Sequence, residues 1–92
     1  MTKKTEEKIV FVGKKNVSNY IVAVMTMSKD SDKVHVKARG STTSKALDVA
    51  VRAKKMYDME IERIDLDTEV MENKGVPVNV TTVDIVLTKG KV

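Results

Sequence analysis

The sequence predicts an α+β fold: a two-layer sandwich in the order βαβαββ, with two helices on one face of a four-stranded mixed sheet. Three observations carry this expectation. Apolar residues at Val17, Tyr20, Ile21, Val24 and Met25 recur at the spacing of one helical face. Residues 33–39 instead alternate, apolar at Val34, Val36 and Ala38 and polar at His35, Lys37 and Arg39, which is the period of a half-buried strand. The last third holds two strand-like segments separated by a cluster of turn-forming residues.

Taken in order, residues 8–12 form a short apolar run closed by Gly13 and read as a buried strand ending in a turn. Asn16 stands where a helix N-cap is expected, and the polar cluster at residues 28–32 ends the first helix. Gly40 stops the alternating strand. Ser41, Thr42 and Thr43 then offer N-caps for a second helix reaching about Tyr57, with Ala46, Leu47, Ala50, Val51 and Lys54 as its expected inner stripe. Residues 61–71 and 78–87 read as two strands, joined through Glu72, Asn73, Lys74, Gly75, Val76 and Pro77. Within the first of them Ile64, Leu66, Thr68 and Val70 share one phase while Ile61 sits in the other, which a β-bulge explains. Both strands are long for so small a chain, so the hairpin is expected to project as an extended arm. Without a repeat or linker, residues 1–92 are expected to form a single domain, with residues 1–7 as a flexible N-terminal tail.

The chain has 92 residues, and its aromatic residues are Phe11, Tyr20 and Tyr57, so the core must be aliphatic. A domain of this size buries only about 60 to 65% of its unfolded surface and often needs a supplement. With no cysteine and one histidine, oligomerisation is the supplement expected. The first eight residues contain no apolar segment of a signal peptide, and the longest apolar stretch, residues 20–27, is far below the roughly 20 residues that span a bilayer. A cytoplasmic protein without membrane contact is expected. No glycine-rich phosphate cradle follows P-loop spacing, no cysteine can act as a nucleophile, and His35 has no partner pattern. Neither catalytic residues, metal, cofactor nor a small-molecule substrate is therefore expected.

Seventeen Lys and Arg against thirteen Asp and Glu give a net charge of +4, which favours polyanionic partners. The distribution is uneven. Lys14, Lys15, Lys37, Arg39, Lys45, Arg52, Lys54 and Lys55 lie in the first 55 residues, while the charged residues of 60–72 are all acidic apart from Arg63. Lys14 and Lys15 follow Gly13 directly, in a short turn from which two ammonium groups can reach phosphates together. Lys37 and Arg39 end the second strand beside Gly40. If the first two strands are parallel, these four residues and Lys45 share the sheet edge where ligands of such crossings gather.

The run Val12, Gly13, Lys14, Lys15, Asn16, Val17, Ser18, Asn19, Tyr20 resembles the signature of the Alba family, archaeal-type chromatin and RNA-binding proteins, with Asn16 in place of the usual proline. The run Val36, Lys37, Ala38, Arg39, Gly40, followed by Ser44, Lys45, Ala46, is similar to that family's second signature. The resemblance implies a homodimer on the chromosome that coats double-stranded DNA with little sequence preference and also binds RNA. It sets its basic body on the phosphate backbone and directs its hairpin arms toward the minor groove. The nucleic-acid-binding residues expected are Lys14, Lys15, Asn16, Asn19, Lys37, Arg39, Ser41, Lys45 and Lys74. Lys14 matches a lysine that is acetylated in some members. Tyr57 matches an aromatic position where neighbouring dimers touch, and as a core residue it would close the end of the second helix. Relatives carry a further basic residue where this chain has Ser41, Thr42 and Thr43, and arginines at a tip that here has Glu69, Glu72 and Lys74, so binding weaker and more salt-sensitive than theirs is expected.

Two rivals come from other classes. Asp65, Asp67 and Glu69 alternate on one strand face, as a Mg²⁺ site of a nuclease could. Alternatively the acidic face docks a protein, making the chain a subunit of an RNA-protein particle. A reader of single strands is not expected, because no exposed aromatic platform is evident in the sequence.

Overall fold

The computed structural model describes residues 8–89, so the tail expected over residues 1–7 lies outside the described residues. The elements are β1 (Lys8–Phe11), α1 (Val17–Ser28), β2 (Lys33–Arg39), a 3₁₀ turn (Gly40–Thr42), α2 (Thr43–Tyr57), β3 (Met59–Asn73) and β4 (Val76–Lys89). They form one sheet in the order β1-β2-β4-β3. β1 runs parallel to β2, and β4 is antiparallel to both of its neighbours. This is the expected mixed sheet of an α+β two-layer sandwich.

Alternation builds the floor of the core. Val34, Val36 and Ala38 of β2 pair with Leu87, Ile85 and Val83 of β4, and all six are buried. Val10 of β1 extends that floor, and Tyr20, Ile21 and Val24 of α1 cover it. The inner stripe of α2 differs from expectation. Ala46, Val49, Ala50 and Ala53 are buried, while Leu47, Val51 and Lys54 are exposed. Apolar residues occupy more than half the circumference of this helix, and the alanines, lacking bulk, allow the close approach to the sheet. The larger Leu47 and Val51 are left on the flank.

The helix starts also depart from the expected caps. Asn16 occupies the N-cap position of α1 without a side-chain capping bond. At α2 the hydroxyls of Thr42 and Thr43 donate backwards, to the carbonyls of Arg39 at 2.8 Å and Gly40 at 3.0 Å, fixing the 3₁₀ turn rather than capping the helix. Gly40 takes φ +64°, and a Cβ there would lie 3.6 Å from Val80 Cγ1.

The hairpin is longer than its hydrophobic pattern. Pairing continues to Asn73 and Val76, leaving only Lys74 and Gly75 in the turn, with φ of 54° and 80°. Two successive positive φ angles match the right-handed strand twist in a two-residue turn. The register shift between Ile61 and Arg63 is the expected bulge. Pairing with β2 ends at Thr82, so β4 from there back to Val76 belongs to an arm of roughly 20 Å. The molecule measures 50 × 29 × 19 Å. Ile64 and Leu66 share the helix side of the sheet with their buried partners Ile85 and Val83, yet both are exposed, as is Val70, because β3 is an edge the helices barely cover. Among the described residues no helix is long and apolar enough to cross a membrane.

Replacing Gly40 by Ala is expected to destabilise the fold by about 1–2 kcal/mol, the cost of a Cβ in the left-handed region. Chemical denaturation at fixed protein concentration measures it.

Candidate nucleic-acid interface

The Val12 amide donates to the carbonyl of Lys37 at 2.8 Å, carrying the parallel pairing one residue past β1. The chain then turns around a single oxygen. The amides of Gly13 and Lys15 both donate to the hydroxyl of Tyr20, at 2.8 and 3.0 Å. From the other side, Lys45 Nζ donates to the carbonyls of Gly13 at 3.1 Å and Lys15 at 2.9 Å. A Cβ at Gly13 would stand 3.3 Å from the Tyr20 hydroxyl, so a larger residue there would press on the oxygen that the two amides share. With the backbone of residues 13–15 held on both sides, the side chains of Lys14 and Lys15 are left to solvent. Among the described residues neither has a carboxylate within ion-pair distance.

Lys45 therefore holds the turn as well as adding charge to it. Tyr20 is the residue that sequence reasoning assigned only to the core. Its signal is a hydroxyl-bearing aromatic one turn into a helix, seven residues after a glycine.

Around this turn lie the exposed Asn16, Asn19 and Ser41. α1 and α2 both begin here, and neither has an acidic residue in its first turn, so the positive ends of two helix dipoles add to the lysines. Lys37 and Arg39 reach the same end of the sheet but lie on its open face, away from the helices. There Lys37 Nζ is 3.8 Å from Asp84, and Arg39 is 3.7 Å from Glu69 and 3.6 Å from Met71 Sδ. Two expected residues stand apart. Lys74 occupies the tip of the arm, and Tyr57 packs half-buried against the core at the C-terminal end of α2, opposite the end that carries Lys45.

The acidic face is internally engaged. Arg63 Nε donates to Asp65 at 2.8 Å, and that hydrogen bond and the carboxylate charge raise the Arg63 pKa above its ordinary value. Asp67 accepts from the Thr68 amide at 2.7 Å, and Asp84 accepts from His35 Nδ1 at 2.9 Å. Among the described residues no group of three or more His, Asp and Glu is placed to hold a metal ion.

A further sequence expectation is overturned. β1 is not buried on both faces: Val10 points inward, while Phe11 lies on the open face with 68% of its surface exposed. An exposed aromatic platform is therefore present.

The Alba family model matches residues 8–68. A protein of Thermoplasma acidophilum named DNA/RNA-binding protein Alba is 44% identical over 87 residues, covering 91% of this chain and 98% of its own length. Alba from Thermoplasma volcanium superimposes with a TM-score of 0.81 at 39% identity, over 89% of this chain and all of that one. ALBA1 from Trypanosoma brucei shares the fold at 22% identity, with a TM-score of 0.78 over 90% of this chain and 69% of its own.

Substituting Tyr20 by Phe removes the oxygen that two amides share. A loss of about 1–3 kcal/mol in stability is expected, with faster hydrogen exchange at the Gly13 and Lys15 amides, read by NMR.

Proposed function

This chain belongs to the Alba family, and on that premise we propose that it is a dimeric, non-catalytic protein that binds double-stranded DNA, and also RNA, through their phosphate backbones. The observation that carries the reading is the Lys14–Lys15 turn. Two ammonium groups project from a backbone fixed by Tyr20 and Lys45, without a carboxylate neighbour among the described residues, at the start of two helices. An ammonium is a point charge that meets a phosphate from many directions and reads no base. Association with the chromosome through little sequence preference follows.

The other expected residues take graded roles. Asn16, Asn19 and Ser41 lie close enough to the turn to donate to neighbouring phosphates. Lys37 and Arg39 must exchange Asp84 and Glu69 for phosphate, so they add less than two unopposed lysines. The arm offers Lys74 among Glu69 and Glu72 and grips a minor groove weakly, which makes affinity modest and strongly salt-dependent. Acetylation of Lys14 would remove one of the two unopposed charges.

The dimer is proposed to form over the uncovered part of β3 and the adjoining flank of α2. Ile64, Leu66 and Val70 with Leu47 and Val51 expose apolar surface there, and a second copy buries the same surface in return. A symmetric pair brings two basic turns to one duplex. Tyr57 lies away from the basic end, where its exposed part can meet a neighbouring dimer.

Replacing both Lys14 and Lys15 by Ala is expected to weaken duplex binding and to reduce the slope of log affinity against log salt by about 1.8, two contacts at about 0.9 each. Fluorescence anisotropy across a salt series measures this, and an unchanged slope would place the contact elsewhere. Leu66→Asp is expected to turn the dimer into a folded monomer, seen in sedimentation velocity.

A further inference from the structure

The open face of the sheet holds a groove of about 640 Å³ that the phosphate-binding turn does not use, lined among others by Phe11, Lys37, Arg39, Asp65, Asp67 and Asp84. The strand register sets these residues in rows. Phe11 pairs with Lys37, Lys37 with Asp84, and Asp84 with Asp65, so one line across the sheet reads aromatic, cation, anion, anion. Three strand spacings make that line about 14 Å long. The next row carries Arg39, Thr82 and Asp67.

An unpaired nucleotide has the complementary parts: a flat base, an anionic phosphate and, in three of the bases, an exocyclic amine. We propose that this groove binds one unpaired nucleotide bearing adenine, cytosine or guanine in preference to uracil or thymine. The base stacks on the exposed face of Phe11, its phosphate meets Lys37 and Arg39, and its amine donates to Asp84, the nearest carboxylate, two strands across from Phe11. Base–aromatic stacking accepts any base, so discrimination rests with the acid, which accepts from an exocyclic amine, whereas thymine and uracil offer only a ring N–H flanked by two carbonyls that the carboxylate repels. The acids of the groove oppose further phosphates, so a duplex reaches no farther across this face than Lys37 and Arg39. A basic peptide would suit the acids alone, but Lys37 and Arg39 stand between them and Phe11 and would repel it.

This inference rests on the proposed binding of nucleic acid and extends it. Phe11 is three residues before Lys14, about 10 Å of extended chain, so a strand leaving a duplex held at the Lys14–Lys15 turn reaches the groove directly.

The test compares a blunt DNA duplex with the same duplex carrying a short single-stranded overhang of adenines or of thymines, read by anisotropy with wild type, Phe11→Ala and Asp84→Asn. Wild type is expected to bind the adenine overhang about fivefold or more tighter than the blunt duplex, with a smaller gain for thymine. Phe11→Ala removes the gain and leaves blunt-duplex binding unchanged, and its circular dichroism shows that the fold is kept. Asp84→Asn narrows the difference between adenine and thymine. Equal affinity of wild type for all three duplexes, or a gain that survives Phe11→Ala, overturns the groove assignment and leaves phosphate binding standing. Absence of binding to every duplex overturns both. NMR shifts of the Phe11 ring caused by an arginine-rich peptide, with none caused by an adenine oligonucleotide, would assign the groove to a protein partner and overturn the proposal.

Discussion

The parallel pairing of β1 with β2 is the constraint from which the other features descend. Because both strands end at the same edge, the turn after β1 and the 3₁₀ turn after β2 become neighbours, and both helices start there. Only then can Lys45, at the start of α2, reach the carbonyls of Gly13 and Lys15. The Tyr20 hydroxyl completes the arrangement from within α1. Antiparallel pairing of the first two strands would send the lysine turn and the start of α2 to opposite ends of the sheet.

Charge is used differently on each surface. At the turn, Lys14 and Lys15 stand without acidic neighbours among the described residues, whereas Lys37, Arg39 and Arg63 each face a carboxylate on the open face. Exposed pairs of this kind contribute little to stability. Their consequence is for recognition, since they cancel much of the long-range attraction for a polyanion on that face while leaving donors and acceptors for a ligand that carries both. Leu47, Val51, Ile64 and Leu66 expose apolar surface suited to neither use.

The architecture was legible in the sequence because each element carries a clear period or breaker. The one-sided apolar face of α1 apart from Met25, the alternation of β2, and the phase slip at Ile61 appear as read. The inner stripe of α2 did not, because Leu47 and Val51 outweigh alanines on any hydrophobicity count, whereas packing against the sheet selects small side chains. The outward position of Phe11 was hidden for a related reason: an unbroken apolar run over residues 9–12 has no polar alternation to mark which side faces water. The positions of Lys14 and Lys15 were legible from Gly13 and strand order. The bonds of Tyr20 and Lys45 were not, since no apolar period marks the amides five and seven residues before Tyr20 that its hydroxyl serves, and Lys45 reaches a carbonyl 30 residues away.

The most direct test of phosphate contact at the turn follows the backbone amides of ¹⁵N-labelled protein as a short blunt DNA duplex is added. The largest shifts are expected at residues 13–19 and 40–45, where the lysine turn and the two helix starts meet. Shifts confined to the arm or to the C-terminal end of α2, with residues 13–19 unmoved, would contradict it.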